Sequence, residues 1–384
     1  MVGGPPILPI FVDFRRRGDK VVESCDERVD FMKFGYLTQL QAPRPWSKDV
    51  DYRAHWDALE QGVLAEACGF DHFWVTEHHF YEEIAHISAP EILLTALAMR
   101  TNRIRIGHAV VVLSCNDPIR VAERAATLDI FSNGRLELGT GRGAAAYHTE
   151  AFGMTTAQAL ESWPEAMEVI CSLFKHDKFP GYEGKYYKYP ARHLVPKPMQ
   201  KPHPPLWCSA SSPVSFSKAA EQGLGALGFV NAPPEVLQPA IDAYRRTQAE
   251  ADPKNFFGVV PNFQIAGVVH AHCDMDDRRG AAVGGAATRW YFGDNDTPIN
   301  ALRFAEQFDK TKFSNAMSYS DDELRSNAMM AAGHPDSCCR TIERWQKAGV
   351  DQLMLIMQAG KTTHDQVKRS LELFGEKVLP KFKD

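Results

Sequence analysis

Phe70-Asp71-His72-Phe73-Trp74-Val75-Thr76-Glu77-His78-His79-Phe80 is a short apolar run that ends in three chemically active side chains. Its apolar part, Phe70 to Val75, has the length and the aromatic content of a buried strand. A helix precedes it: Tyr52, Trp56, Leu59, Val63 and Ala67 recur at helical spacing, and Gly69 stands in the C′ place that ends a helix. Met32 to Leu37 is a strand before that helix, and Pro90 to Met99 lies in a helix after the motif. Strands alternating with helices in this rhythm are the pattern of parallel β/α architecture.

The rhythm persists along the chain. Ile104-Arg105-Ile106-Gly107 opens a third strand that continues through Ala109-Val110-Val111-Val112-Leu113. Pro118 opens a helix running to Phe131, Ser132-Asn133-Gly134 is a turn, and Arg135 to Leu138 is a fourth strand. Ala157 to Phe174 is helical, with Pro164 expected to kink or to start it. Residues 177–204 are rich in Pro, Tyr and Gly and read as an excursion from the barrel. Strands follow at Pro205–Cys208, Gly225–Val230 and Asn262–His270, with helices over Pro213–Gln222 and residues 234–250. Residues 273–333 are expected to form a long insertion, with Gly280, Gly284 and Gly285 near its start. A helix over Pro335–Lys347, a strand over Gln352–Met357, and a closing helix lined by Val367, Leu371, Phe374 and Val378 complete the series. Eight strands, each with a helix, over about 350 residues predict the α/β class and a (β/α)8 TIM barrel with insertions, spanning residues 32–384 as one domain. An open doubly wound sheet of this length more often splits into domains, and no linker breaks the sequence.

Composition narrows the function classes. A net charge of -5 with scattered basic residues argues against a nucleic-acid surface; Arg15-Arg16-Arg17 is the only basic run. Eight cysteines without a CxxC pair read as thiols in a reducing cytoplasm rather than as a disulfide framework. No stretch approaches the roughly 20 continuous apolar residues that span a bilayer. Residues 1–31 place their arginines after the short apolar patch, the reverse of a secretory signal, and read as a flexible extension ahead of a fold that starts near Met32.

In (β/α)8 barrels chemistry sits at the C-terminal ends of the strands, where Glu77, His78 and His79 fall. A histidine there can shuttle protons near neutral pH, and an adjacent glutamate can orient its ring or stay buried and paired. Chemistry alone does not choose between the two histidines. Gly139-Thr140-Gly141-Arg142-Gly143 is a Gly-rich turn after a strand, without the spacing of a dinucleotide fingerprint. Ser209-Ala210-Ser211-Ser212-Pro213 ends a strand and opens a helix, which suits either a phosphate or simple capping by Ser212. His270-Ala271-His272-Cys273 has no second ligand cluster at matching spacing, so strand packing is favoured and no metal site is expected. Trp290-Tyr291-Phe292, in the long insertion, either lines a substrate pocket or packs the insertion down; Trp290 is taken as pocket-lining. Gln39, Gln41 and Trp46, after the first strand, are candidates for the same pocket.

The opening segment resembles the signature strand of the bacterial luciferase-like flavin monooxygenases. Three further blocks match in order: Ile104 to Val111, Asn133 to Gly143, and Pro204-Pro205-Leu206-Trp207 running into Ser209–Pro213. Gly349-Val350-Asp351-Gln352-Leu353 and Val378-Leu379-Pro380 also fit, so the resemblance covers most of residues 32–382. It implies that His78 is catalytic and that a non-prolyl cis peptide joins Ala109 to Val110 against a flavin ring. It also implies flavin contacts at Thr140, Gly141, Arg142 and Tyr147, with Ser211 and Ser212 at the phosphate end. His148 stands where bacterial luciferase itself has an acidic residue. The activity implied is a monooxygenase that takes reduced FMN from a separate NAD(P)H:flavin reductase, uses dioxygen, and acts on a small or medium apolar substrate held near Gln39 and Trp290. A homodimer is implied by analogy. Two alternatives share the barrel: an oxidoreductase transferring hydride with F420, and a non-catalytic luciferase-like partner subunit.

Overall fold

The computed structural model describes residues 31–143, 146–228, 232–293 and 318–383. Residues 1–30 of the expected N-terminal extension, the last residues of the sixth strand (Phe229 and Val230) and residues 294–317 of the long insertion lie outside the described residues.

The strands are β1 Lys33–Thr38, β2 His72–Val75, β3 Arg105–His108, β4 Val111–Val112, β5 Leu136–Gly141, β6 Lys178–Phe179, β7 Tyr182–Glu183, β8 Lys188–Tyr189, β9 Arg192–His193, β10 Leu206–Ala210, β11 Gly225–Gly228, β12 Ile265–Cys273, β13 Met330–Gly333 and β14 Gln352–Ile356. Parallel pairing runs β10-β11-β12-β14-β1-β2-β3-β5, and the β5–β10 ladder (Leu206↔Leu138) closes the circle. The result is the closed eight-stranded parallel barrel that the alternating pattern predicts. Antiparallel ladders β6–β9 and β7–β8 form outside it, and the Glu165 carboxylate receives the Lys185 and Tyr186 amides at 3.0 and 2.9 Å.

Helix signals in the sequence land closely. Helices α1 Val50–Ala67, α2 Pro90–Ala98, α3 Pro118–Phe131, α4 Ala146–Thr149, α5 Thr156–Lys175, α6 Pro213–Glu221, α7 Pro234–Glu250 and α8 Asp277–Phe292 are followed by shorter and longer helices up to His364–Leu373. Asp117 accepts from Ile119 and Arg120 amides and so caps α3, and Gly69 takes φ +87° past the end of α1. Pro164 neither starts nor ends α5. A capping box at Thr155 starts it, nine residues before Pro164, and it runs on through the proline.

Two expectations are corrected. The third strand is not continuous: it stops at His108, the Ala109–Val110 peptide is cis, and β4 resumes with its register on β5 slipped by one residue, from Gly107↔Glu137 to Val111↔Thr140. The segment after the seventh strand is not simply an insertion, because it begins with the regular helix α8 and ends in a further parallel strand, β13, paired to the end of β12. A Cβ on Gly280 would stand 2.8 Å from Gly333 Cα and one on Gly284 2.4 Å from Ala332 Cβ, so these glycines let α8 lie against β13. Glycine costs a helix about 1 kcal/mol relative to alanine, which masks such a helix in the sequence.

The lumen is filled rather than open. Trp74 and Trp207 meet edge to face at 5.5 Å, with Leu37, Ala266, Val268, Met354 and Ile356 around them. A Cβ on Gly107 would lie 2.2 Å from Trp74 and one on Gly225 2.4 Å from Trp207, so glycine on the strands makes room for the indoles. Buried Glu137 accepts from Trp207 Nε1 at 2.7 Å and pairs with Arg105 and His72. These groups hold the carboxyl below its ordinary range against the opposing effect of burial. Above the plug, at the C-terminal ends of the strands, there is free space.

Candidate active site

A cavity of about 590 Å³ opens there, and strands β1, β2, β4, β5, β10, β12 and β14 or the turns after them all contribute to its wall. Gln39, His78, Ala109, Val110, Thr140, Gly141, Arg142, Ser211 and Ser212 come together on it, from segments spread over the whole barrel.

At the end of β2 the chain turns sharply through Phe80 at φ +65°, a conformation unusual for an aromatic residue, and His78 N–H donates to Ile87 O at 3.0 Å. Buried Glu77 collects three donors: the Val112 amide at 3.0 Å, Asn116 Nδ2 at 2.8 Å, and His79 Nε2 at 2.9 Å. Arg124 extends this chain, donating to Asn116 Oδ1 and to Glu91 at 2.9 Å. One carboxylate therefore ties the histidine run to the segment that follows the cis peptide. The His78 ring faces Tyr81 and His148, at 5.2 and 5.5 Å between ring centres, and Tyr81 and His148 are 4.2 Å apart.

The Gly-rich turn works through its backbone. A Cβ on Gly141 would stand 2.5 Å from Val110 Cγ2, so only glycine lets β5 pass the cis peptide this closely. Thr140 is fully buried and its hydroxyl contacts Met167 Sδ at 3.2 Å, turned back into the core. At α6 the capping role is realised. Ser212 Oγ accepts from Ser215 N–H, and the Ser211 and Ser212 amides both donate to Ser215 Oγ at 3.0 and 2.9 Å. What this end of the cavity offers a ligand is therefore the hydroxyls of Ser209 and Ser211 together with the cations Arg142 and Lys218.

Two expected contacts fall elsewhere. Trp290 is buried beside Gly360 and is not among the lining residues; its neighbour Tyr291 is. Tyr147 is half exposed and stacks on Tyr81 at 6.2 Å, also outside the lining, whereas His148 next to it reaches the cavity. Trp46 is exposed and donates to Ala42 O at 2.7 Å, and Gln41 lies behind Gln39. Sequence reading missed Tyr81 and Lys218 as lining residues; Thr76 and Tyr291 lie inside quoted motifs and Tyr81 adjoins one, but Lys218 carries no local signal.

His270 and His272 point into packed surroundings. Burial pushes His270 down to about 3, with Tyr291 4.8 Å from its ring, and His272 down to about 4, so both are neutral. His108, behind the cis peptide, is likewise lowered to about 3 by burial and then by the Arg124 cation. Among the described residues, no helix is long and apolar enough to cross a membrane.

The barrel, the broken third strand and the strand-end cavity define a (β/α)8 protein with its candidate site at the usual end, and comparison gives it a family. The chain belongs to the luciferase-like monooxygenases, whose family model matches residues 32–352. It is similar to the 4-hydroxyprotoasukamycin monooxygenase of Streptomyces nodosus subsp. asukaensis, 27% identical over 93% of each chain. It is also similar to the oxygenase component of the flavin-dependent trigonelline monooxygenase of Acinetobacter baylyi, 29% identical over 50% of this chain and 52% of that one. The chain thus spans about half the length of several relatives that it matches. In fold it resembles an F420-dependent secondary alcohol dehydrogenase solved with an F420-acetone adduct, at TM-score 0.70 and 22% identity, covering 92% of this chain and all of that one.

Proposed function

We propose that this protein is a flavin-dependent monooxygenase that uses reduced FMN and dioxygen to oxygenate a small or medium organic substrate. One observation carries the reading: a single cavity has His78 on one wall and, on another, the hydroxyl and cationic groups of Ser209, Ser211, Arg142 and Lys218 that suit a phosphate. The donor set fits FMN. Its ring would lie against Ala109 and Val110, where Gly141 leaves the backbone bare, and its phosphate would reach Arg142, Lys218 and Ser211. When bound, reduced flavin supplies the electrons that activate dioxygen. The chain's own part is to hold the ring, exclude water and manage protons at His78. Glu77 fixes this arrangement by holding His79 and the Val112 amide. Leu37, Val112, Trp163, Val268, Tyr291 and Ile356 make the remaining wall largely apolar, which suits an organic substrate.

Supply of reduced FMN by a separate NAD(P)H:flavin reductase follows the two-component naming of the Acinetobacter relative. The unpaired thiols among the described residues agree with a cytoplasmic setting, and a homodimer is the assembly proposed. The second reading is hydride transfer with F420, favoured by the fold likeness to the F420-dependent alcohol dehydrogenase. The test is retention of FMN or F420 by gel filtration, followed by oxygen uptake with chemically reduced FMN. Retention of F420 alone, with turnover in the absence of dioxygen, would replace the first reading by the second.

A further inference from the structure

Gln39 and Thr76 stand side by side on the cavity wall. The β1–β2 register ends at Thr38↔Val75, so the next pair is Gln39 opposite Thr76. Residues two apart on a strand share a face. Leu37 and Trp74 belong to the lumen cluster, so Gln39 and Thr76 form the next layer above it, and both line the cavity.

The orientation of the Gln39 amide is forced from the backbone outward. Gly360 N–H donates to Gln41 Oε1 at 3.0 Å, and a carboxamide nitrogen cannot accept that bond. Gln41 therefore turns its Nε2 to Gln39, donating to Gln39 Oε1 at 3.2 Å. Gln41 itself is clamped by Gln358, whose side chain accepts from Gln41 N–H at 3.2 Å and donates to Gln41 O at 3.1 Å. With its oxygen used, Gln39 presents Nε2 to the cavity. That nitrogen has no partner among the described residues, although only 3% of the residue is exposed. Thr76 Oγ1 is also buried without a partner among the described residues. Buried donors are seldom left unpaired, so Thr76 Oγ1 with the cavity-lining Gln39 Nε2 beside it marks a place for a ligand atom that accepts from both.

We infer that Gln39 Nε2 and Thr76 Oγ1 form a subsite for a carbonyl oxygen of the substrate. An sp² oxygen has two lone pairs in one plane, matching two donors that project from neighbouring strands. The inference rests on the proposed flavin site in one respect. With the flavin on β4, β5 and β10, the β1–β2 wall faces the substrate.

The test compares ketones with alkenes of the same shape: cyclohexanone with methylenecyclohexane, and cyclododecanone with methylenecyclododecane. Each is titrated into FMN-loaded protein and into the chain without cofactor, and binding is read from tryptophan fluorescence. The parent should hold at least one ketone about tenfold more tightly than its alkene. Thr76→Val and Gln39→Leu should each bring that ratio towards one with alkene affinity unchanged. Gln39→Glu should weaken the ketone further than Gln39→Leu, because it turns a carboxylate oxygen on the carbonyl. A parent that binds neither member of either pair, or both equally, overturns the inference. So do variants that weaken ketone and alkene alike, which is the mark of a merely structural role. FMN retention is scored separately. Its absence in the parent counts against the flavin reading alone, whereas FMN release by Gln39→Leu at an unchanged ketone ratio assigns the donors to the flavin and overturns the inference.

Discussion

Two pairs of histidines end two parallel strands of the same barrel, and their surroundings give them opposite properties. His78 and His79 leave β2 at a turn where Glu77 holds His79 and His78 reaches the cavity. His270 and His272 lie on β12, enclosed by β13 and α8, and burial keeps both neutral. Residue type and strand-end position are the same. The difference is a buried carboxylate and an open cavity on one side and aromatic packing on the other, so position offers a histidine for chemistry and the neighbours decide whether it is used.

The largest expected effect lies on the β2 side. His78→Ala should lower turnover with reduced flavin about 10²- to 10⁴-fold, the usual range for a proton-managing group, while the thermal midpoint stays at the parent value. Steady-state oxygen uptake beside a melting curve checks both, and intact turnover would favour a non-catalytic partner role. Glu77→Gln keeps the shape but turns an NH2 towards donors, since the carboxylate receives Val112, Asn116 and His79. A loss of about 1–3 kcal/mol is expected in urea unfolding, with turnover falling as well; an unchanged midpoint would show that Glu77 does not bind the two segments together.

On the β12 side the expected changes are in stability. Gly284→Ala puts a methyl where Ala332 Cβ already stands, 2.4 Å away, and should cost about 1–3 kcal/mol in the same assay. Parental stability in that variant would mean that α8 does not pack on β13 as described. The smallest effect is a pH dependence. His270 is lowered to about 3 in the folded chain, so below the ordinary histidine range the unfolded chain takes up a proton that the folded one cannot. Stability is thus complete above about pH 6.5 and declines as pH falls towards 3, with His108 and His272 adding in the same direction. His270→Leu should remove about 1 kcal/mol of the stability lost between about pH 7 and 5.5. Urea titrations across that range test it, and an unaltered slope would mean that His270 is not held neutral.

The same contrast shows what a linear reading reaches. Helices α3 and α7 carry the bounds expected of them, because proline at a first turn is a local signal. Helix α8 and strand β13 are hidden, because Gly280, Gly284 and the Ala331-Ala332 run have poor local propensity and are stabilised only by each other. The break at Ala109–Val110 was implied by family resemblance and not by periodicity, which continues through it. The pocket takes Tyr291 and not its neighbour Trp290. Adjacent helical residues point about 100° apart, and only the placement of α8 sets which one faces inward.

The sequence by itself determined the barrel, most of its helices and the position of Glu77-His78-His79 at a strand end, because apolar periodicity and capping residues act over a few neighbours. Only the tertiary structure decided that Glu77 joins the histidine run to Val112. It alone brought Gln39 beside Thr76 on the cavity wall. Those outcomes depend on which distant segments meet, and hydrogen bonds spanning tens to hundreds of residues leave no period in the chain.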